Sequence, residues 1–558
     1  MNIQQKLSNL SQQGLVLSLM FFGALLQRWR PDNDLWFILN GGRYVMEQGI
    51  PHTEPFTVHA GLHFVLEQWL TGVIFWQIYN ILGETGLLEL IFFLGCALIY
   101  AYYRLCLLLS EENRQVSFMM ALTVGIMTAP VFFVTRPQVI SLFIFVMEIF
   151  FLEKYLRTSK KSYLLVLPLA SVLIVNLHAA LWPFVFVLLA PFVLDWLMGK
   201  FGLPSFHFPG SKFSVRPLAV AALAAFLAGF INPYGWEAMT FVLYSYDPVI
   251  HGRIAEIQAV NAGIREGKYF FALTALLIAL QARNSVPLRY FLLFLGTMLM
   301  GLFFLRNMFL FFFLGTLPLA YIFRGWHSKF LARNTRTSPV FVVPFLAIAL
   351  MAVLLFLSRP ELHNLTYPWI VELFFLFALP CGIISLWSCS KEGTGFDLHW
   401  PSTQLKVMSV SLVVLSFYCF SNWYGACRRD ETNHTFAPAI DYLLAMHRPE
   451  EITLWTGFNS GAYPEFRRIK CYMDARPEVF LPSNTGIEHN IIKEYFDLAD
   501  EKLDYKEFFR ENHFDYAMTV PGDGAIYTLL PHDEDFLLVY EQKNAEGEVM
   551  CRIFKVNL

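Results

Sequence analysis

Residues 28–54 read RWRPDNDLWFILNGGRYVMEQGIPHTE and follow the first apolar run of the chain. They include three arginines and four acidic residues, although only 15% of the whole chain is charged and 56% is hydrophobic. Charged side chains beside a bilayer cost free energy unless they meet a partner, water or a ligand. The stretch therefore predicts a loop on one membrane face with a chemical role of its own.

The composition indicates a protein that crosses the membrane many times. The mean hydropathy is +0.48 and the chain holds 56 Phe, whereas soluble domains are about one quarter charged. The formal net charge of −3 gives no signature of nucleic-acid binding. The eight cysteines include no CxxC pair, which predicts neither a disulfide framework nor a zinc site.

Apolar runs of spanning length recur through residues 1–424 and predict an all-α polytopic membrane domain of about 13 helices. The stretch 64–82 contains several polar residues and two tryptophans, so we expect it to lie on the outer surface as an interfacial helix. With a cytoplasmic N-terminus, this choice places most basic loops inside, as the positive-inside rule requires. If 64–82 crossed instead, the basic clusters 157–161 and 324–336 would lie outside. The predicted spans are 15–26, 86–107, 116–134, 138–156, 163–177, 181–198, 217–231, 269–281, 288–304, 307–323, 339–357, 367–388 and 406–424.

The composition changes near residue 425, where charges become frequent and apolar runs shorten. Residues 425–558 therefore predict a soluble α/β domain, which the span count places outside the cytoplasm. The patterns favour helices at 441–447, 488–500 and 504–512 and strands at 451–455 and 536–540.

Polar residues stand at the ends of several predicted spans, and the topology brings all of these ends to the outer face, together with the external loop 28–83. Arg136 and Arg306 suit a phosphate or pyrophosphate group, because guanidinium groups bind phosphate oxygens in pairs. The alternative for each residue is a snorkelling or helix-capping role. The candidate substrate-binding or lipid-phosphate-binding residues are Arg30, Arg43, Arg136, Asn176, His178, Asn232, Tyr234, Arg306 and Asn307.

The loop also supplies candidate catalytic acids. Asp34 precedes a predicted interfacial helix at 35–48, and its carboxylate could act as a general base or orient an acceptor hydroxyl or amine. The alternative is a favourable partner for the helix dipole. Asp32 is the neighbouring candidate, and Glu54 is either a second acid or a turn residue. His52, His59 and His63 match metal-ligand spacing poorly, so we predict no metal site, although a divalent metal is left open.

The chain resembles the GT-C class of polytopic glycosyltransferases, which includes protein O-mannosyltransferases and the aminoarabinose transferases of lipid A. It is more similar still to a bacterial group of GT-C-like membrane proteins, and the resemblance covers nearly the whole chain. The segments that carry it are Asp34-Leu35-Trp36 with Gly42-Arg43, residues 49–57 (GIPHTEPFT), Gln68-Trp69-Leu70, residues 83–87 (GETGL), Arg136-Pro137-Gln138, Asn176-Leu177-His178, Asn232-Pro233-Tyr234-Gly235, Arg306-Asn307, residues 459–463 (NSGAY) and Asp474-Ala475-Arg476.

The resemblance implies that Asp34 is the acid of the catalytic loop and that Glu54 is an auxiliary acid. It implies that Arg136 and Arg306 contact a lipid phosphate. Two departures stand out: the group usually carries Asp at the position of Glu54, and a second Gly where this chain has Ala179-Ala180.

We therefore expect a glycosyltransferase in the bacterial inner membrane that moves a sugar from a polyprenyl-phosphate donor to an acceptor on the outer face. The acceptor is a lipid, a glycan or a protein. The sequence has no nucleotide-binding signature, which favours a lipid-linked donor reached from the bilayer. The alternatives are a transporter or flippase for a lipid-linked glycan, and a non-catalytic scaffold that binds glycan. A transporter tends to show inverted repeats and charges at the midplane, and neither is visible here.

Overall fold

The computed structural model describes residues 31–201, 210–245, 247–325, 436–544 and 547–558. A helical part precedes residue 326, and an α/β part follows residue 435. The predicted boundary at 424/425 lies outside the described residues, as does Arg30. The same holds for the predicted spans at 15–26, 339–357, 367–388 and 406–424.

The helical part consists of helices joined by short connections, and its largest buried side chains are mostly aromatic. Its helices are α1 Leu35–Gln48, α2 Trp69–Leu109, α3 Arg114–Phe132, α4 Gln138–Thr158, α5 Val166–Leu177, α6 Phe184–Phe201, α7 Val215–Ala228, α8 Trp236–Tyr244, α9 Arg265–Gln281, α10 Leu288–Phe303 and the partly irregular α11 Leu305–Ile322.

Three helical stretches among the described residues are long and apolar enough to cross a bilayer. They are α2, the 23 residues Ala179–Phe201 that include α6, and α11 with its 18 residues. Shorter apolar helices of 10–17 residues accompany them, in α3, α5, α7 and α10. The chain therefore has the helices of a membrane protein, but the predicted number of about 13 spans is not confirmed.

Helix α2 is broken at Gly83, whose φ of 68° and ψ of −164° are not helical. The break falls where the sequence predicts the end of a surface helix and the start of an apolar span. The half before the break packs closely on α1, since a Cβ at Gly42 would lie 2.0 Å from the carbonyl oxygen of Gly72. Only glycine permits this approach of the two helices.

A buried ionic cluster ties α4, α6 and α10 together near the ends remote from residue 136. Arg289 Nε donates to Glu153 at 2.6 Å, and Arg289 Nη1 donates to Asp195 at 2.8 Å. Both carboxylate side chains are fully buried. Pairing with Arg289 explains how the carboxyl groups of Glu153 and Asp195 can be buried among apolar helices.

The α/β part contains a five-stranded sheet in the order β2-β1-β3-β5-β4. Strands β2, β1 and β3 run parallel, and β3, β5 and β4 are antiparallel neighbours. The strands are β1 Thr453–Thr456, β2 Lys470–Cys471, β3 Tyr516–Thr519, β4 Phe536–Lys543 and β5 Val549–Val556, and the helices are α12 Ala437–Leu444, α13 Ala462–Phe466, α14 Pro482–Thr485, α15 Ile491–Ala499, α16 Tyr505–Asn512 and α17 Ala525–Leu529.

The loop between α1 and α2 extends the sheet of the α/β part. Thr57 pairs with Cys471 in a parallel bridge beside β2, and Val58 N donates to Cys471 O at 2.9 Å. His59 Nε2 lies 2.9 Å from Tyr472 O, and its ring packs against the Tyr472 ring. The predicted catalytic loop and the C-terminal part therefore form one packed unit.

A buried ionic network, the Arg476 cluster, locks this unit. Arg476 Nη2 contacts Glu54 at 3.1 Å and Glu465 at 3.4 Å, and it also pairs with Asp474. The Arg476 side chain is 4% exposed and the three carboxylates are fully buried. Burial, and then the charge of Asp474, raises the pKa of Glu465 well above its ordinary value. Protonation of Glu465 reduces the negative excess in the cluster.

We expect Arg476→Met to destabilise the protein strongly, because it leaves buried carboxylates without their cation. Removing one partner of a buried pair costs about 3–5 kcal/mol. The unfolding midpoint of the purified protein in detergent should fall clearly. Arg468→Met is the matched control, since Arg468 joins α1 to the C-terminal part through an exposed pair with Glu47. Equal midpoints for the two variants would contradict the role assigned to the Arg476 cluster.

Candidate active site

The first half of the site is an ion cluster between the start of α1 and the start of α4. Arg136 Nη2 contacts Asp32 at 2.7 Å and Asp34 at 3.0 Å, and Arg136 Nη1 contacts Glu256 at 3.0 Å. Thr135 Oγ1 accepts a hydrogen bond from Asp32 N at 3.1 Å. Two of the predicted site acids therefore lie beside a predicted site arginine, although over 100 residues separate them in the chain.

Asp34 occupies the N-cap position of α1, but its side chain makes no capping hydrogen bond. Asp32 Oδ1 instead accepts a hydrogen bond from Asp34 N at 3.1 Å. The Asp34 carboxylate points to Arg136 and keeps 20% of its side-chain surface exposed. A simple capping role does not account for this arrangement, because capping requires a bond to the helix amides.

Burial raises the pKa of Asp34 from its ordinary value to about 8, and Arg136 opposes the shift. Asp32, Glu256 and Glu478 add negative charge that favours the protonated form. Burial is the larger cause of the raised pKa of Asp34, and the other carboxylates around Arg136 add to it. A carboxyl group with a pKa near the working pH is suited to accept a proton in a reaction.

The second half of the site surrounds Glu67, at the start of α2. Glu67 O accepts a hydrogen bond from Ala179 N at 2.8 Å, and Glu67 Oε2 accepts one from Ala180 N at 3.0 Å. The positive charge of Arg306 acts on Glu67 and on His178. Ala179 and Ala180 form these hydrogen bonds through their main-chain amides. The bonds therefore do not depend on whether this segment contains alanine or the glycine found in the related group.

The ionisation of Glu67 and His178 is shifted in opposite directions by burial. Burial raises the pKa of Glu67 to about 7, and the Ala180 amide opposes this shift. Burial, together with the charge of Arg306, lowers the pKa of His178 to about 3. His178 is therefore neutral near pH 7, and its Nδ1 lies 2.9 Å from Ser141 Oγ.

Glu478 of the C-terminal part links the two halves. Its negative charge acts on both Asp34 and Glu67, and the charge of Arg306 acts on Glu478 in turn. Burial raises the pKa of Glu478, but the residue keeps part of its surface accessible. The main chain also joins the two halves, because Leu305 N, next to Arg306, donates to Gln258 O at 2.9 Å, two residues after Glu256.

Other predicted site residues make contacts that hold the structure together. Glu54 Oε2 accepts hydrogen bonds from Phe56 N and Thr57 N, and Glu54 Oε1 contacts Arg476. Both of its oxygens are thus engaged within the loop and the Arg476 cluster. Arg43 Nη2 donates to Asn40 Oδ1 at 2.6 Å and to Phe466 O at 2.8 Å.

Asn176, Asn232 and Tyr234 form hydrogen bonds that hold the turns at the ends of the helices. Asn176 Oδ1 accepts from Trp69 Nε1 at 3.1 Å, and its Nδ2 donates to Ile231 O at 2.8 Å. Asn232 Oδ1 accepts from Tyr234 N at 2.8 Å, and Tyr234 OH donates to Pro51 O at 2.8 Å. Asn307 is buried next to Arg306.

Sequence reasoning missed Glu67, Glu256 and Glu478. Glu67 was visible as an acid at the edge of the 64–82 stretch, next to the Gln68-Trp69-Leu70 segment. Glu478 stands two residues after Arg476, in the Pro477–Phe480 turn. Glu256 lies in a mixed-charge segment with no distinctive spacing, and only the fold brings it to Arg136. Among the described residues, no group of three or more His, Cys, Asp or Glu is placed to hold a metal ion.

Comparison with known proteins gives structural neighbours only: no protein-family model matches the chain, and no curated protein does. ArnT from Cupriavidus metallidurans bound to undecaprenyl phosphate is 11% identical, with a TM-score of 0.49 over 97% of this chain and 96% of that one. The Archaeoglobus fulgidus oligosaccharyltransferase tethered with an acceptor peptide is 12% identical, with a TM-score of 0.47 over 97% and 73%. AglB from the same archaeon, in complex with an inhibitory peptide and a dolichol-phosphate, is 12% identical, with a TM-score of 0.44 over 97% and 74%.

These neighbours are GT-C membrane glycosyltransferases, the class whose segments the sequence resembles. Every TM-score lies below 0.5, and the identities are low. The similarity therefore carries no conclusion about the reaction, which has to rest on the contacts of this chain.

We expect dicyclohexylcarbodiimide to label Asp34 and Glu67 near pH 7 in preference to the exposed Glu450. The reagent activates protonated carboxyl groups, and burial raises the pKa of Asp34 to about 8 and that of Glu67 to about 7. Labelling of both should fall as the pH rises to about 9, because the carboxyl groups ionise. Peptide mass spectrometry measures the labelled fraction. Equal labelling of Glu450, or labelling of the two site acids that ignores pH, would contradict the raised pKa values.

Proposed function

We propose that the protein is a membrane glycosyltransferase of the GT-C type that takes its sugar from a polyprenyl-phosphate donor on the extracytoplasmic face. The observation that carries the proposal is the contact of Arg136 with both Asp34 and Glu256. The segment that follows Glu256 binds the main chain next to Arg306, because Leu305 N donates to Gln258 O at 2.9 Å. Asp34 supplies a carboxyl group whose pKa burial raises to about 8, and Arg306 supplies a cation that can bind a phosphate. Glu478 connects them electrostatically.

The donor phosphate binds at Arg306 and His178. Cationic groups stabilise the negative charge that builds on a departing phosphate. His178 remains neutral near pH 7, and a neutral imidazole can donate one hydrogen bond to a phosphate oxygen. Both residues lie at helix ends, next to the start of Ala179–Phe201 and of Leu305–Ile322, which a lipid can reach from the bilayer.

Asp34 acts as the general base on the acceptor side. Its carboxylate takes the proton of the acceptor hydroxyl or amine as the acceptor attacks the anomeric carbon of the sugar. The new bond forms from acceptor to sugar, the bond from sugar to phosphate oxygen breaks, and the lipid phosphate leaves with the electron pair. A single direct displacement of this kind inverts the configuration at the anomeric carbon.

Arg136 is a positioning residue in this scheme. Its guanidinium contacts three carboxylates and holds Asp34 at 3.0 Å. These three contacts favour a positioning role for Arg136, and the direct phosphate contact predicted from the sequence stays a prediction. Asp32 also contacts Arg136, and its Oδ1 accepts a hydrogen bond from Asp34 N. We therefore assign Asp32 a role in orienting the loop and assign the role of general base to Asp34.

We expect Asp34→Asn to lower sugar transfer by about 100-fold or more, since a positioned general base contributes about 10²–10⁴ in rate. The measurement is release of lipid phosphate from a polyprenyl-phosphate sugar, with cell-envelope extract as the source of acceptor. The unfolding midpoint and the binding of undecaprenyl phosphate should stay near wild type. Glu450→Gln, an exposed change, is the control. Wild-type turnover in Asp34→Asn would overturn the assignment, and a transporter would be favoured if lipid moved without bond cleavage.

The rate should rise with pH, because the base works in its ionised form and burial raises the pKa of Asp34 to about 8. Glu256→Gln removes a negative charge that raises this pKa, so the acid limb of the pH–rate profile should shift to lower pH. The shift is modest, because Glu256 is 50% exposed and water screens its charge. A shift to higher pH would contradict the assignment of Asp34 as the titrating base.

A further inference from the structure

The geometry points to Glu67 as a phosphate-binding residue of the donor site, which in its protonated form donates a hydrogen bond to the phosphate held by Arg306. This inference rests on the proposed function and names a residue of the same site that the sequence did not single out. It also gives the site a built-in dependence on pH.

The position of Glu67 is fixed by the main chain. Its carbonyl oxygen accepts the Ala179 amide at 2.8 Å, and its carboxyl Oε2 accepts the Ala180 amide at 3.0 Å. The amides of Ala179 and Ala180 therefore hold both the main chain and the side chain of Glu67 in place. Because Oε2 is used as an acceptor, Oε1 is the oxygen that can carry the proton.

The other carboxyl oxygen of Glu67, Oε1, differs from Oε2 in its contacts with the protein. Glu67 is only partly buried, and among the described residues no protein hydrogen bond to Oε1 is found. The carboxyl group thus has one oxygen tied to the protein and one left for a ligand.

The groups that face Glu67 come from three other elements. Arg306 belongs to α11 and Glu478 to the C-terminal part, and His178 directly precedes Ala179, whose amide binds Glu67. An anion bound by Arg306 would repel an ionised Glu67 but would accept a hydrogen bond from a neutral one. The raised pKa of Glu67, about 7 and caused mainly by burial, keeps the neutral form populated in the working range.

The charge balance of the site favours the same state. Arg306 is the cation shared by this half, while Glu67 and Glu478 are both acids. A phosphate adds further negative charge. Protonation of Glu67 therefore lowers the repulsion when the lipid phosphate arrives and converts a repelling group into a donor.

The test is the binding of undecaprenyl phosphate to the purified full-length protein in nanodiscs, measured from about pH 6 to pH 8.5. Wild-type affinity should fall about tenfold over this range as Glu67 loses its proton, the size expected for losing a hydrogen bond to a charged group. Glu67→Gln keeps a donor that does not ionise, so it should lack this tenfold fall relative to wild type and should bind more tightly than wild type at the upper pH. The second ionisation of the lipid phosphate, with a pKa of about 6, acts on both proteins alike.

The experiment carries its own controls. Arg306→Met should weaken binding at every pH, Arg306→Lys should weaken it less, and Glu450→Gln should match wild type. If Arg306→Met weakens binding but Glu67→Gln follows the wild-type pH profile, the inference about Glu67 is wrong and the donor site stands. If neither Arg306→Met nor Glu67→Gln changes binding, the phosphate is held elsewhere, and the proposed donor site fails together with this inference. The gain of binding expected for Glu67→Gln cannot arise from misfolding.

Discussion

The Arg476 guanidinium is buried among carboxylates from two distant parts of the chain, and the rest of the site depends on that pairing. Glu54 reaches it from the loop between α1 and α2, while Asp474 and Glu465 reach it from the C-terminal part. Removing one partner would leave an uncompensated buried charge at a cost of several kcal/mol. The loop and the C-terminal part are therefore fixed to each other, and Glu478, two residues beyond Arg476, is placed at the site.

The site itself separates two kinds of chemistry. On one side Arg136 contacts three carboxylates, including that of Asp34, which we propose as the proton acceptor. On the other side lie Arg306 and the neutral His178, which we propose as the site of the donor phosphate. The acids outnumber the cations, so burial and mutual repulsion keep some carboxyl groups protonated near neutral pH. This is why the pKa of Asp34 and the pKa of Glu67 are both raised, and why pH is an informative variable.

The sequence predicted the parts of this arrangement that depend on local pattern. Helix α1 spans Leu35–Gln48, the residues expected for it, and α2 breaks at Gly83, beside the predicted end of the surface stretch. The helices at 491–499 and 505–512 and the strands at 453–456 and 536–543 lie close to their expected positions. Strands β2, β3 and β5 were not predicted. Strand β2 has only two residues, and β3 is buried throughout and so lacks the alternation of a half-exposed strand.

The side-chain partners were less predictable, because they depend on contacts between distant residues. Asp34 and Arg136 were singled out by their charge at span ends, but nothing local indicated that they bind each other. Glu54, like Asp34, was a candidate catalytic acid because it is an acidic residue of the external loop. Only the fold shows that it is buried against Arg476. Glu67 and Glu478 look ordinary in the sequence, since their importance comes from the groups that the fold brings around them.

The most direct test of the central claim is an electron cryomicroscopy map of the full-length protein with undecaprenyl phosphate bound. The account predicts phosphate density beside Arg306 and His178, with the space toward Asp34 open for a sugar and an acceptor. Phosphate density elsewhere, with Asp34 and Arg306 facing separate compartments, would contradict it.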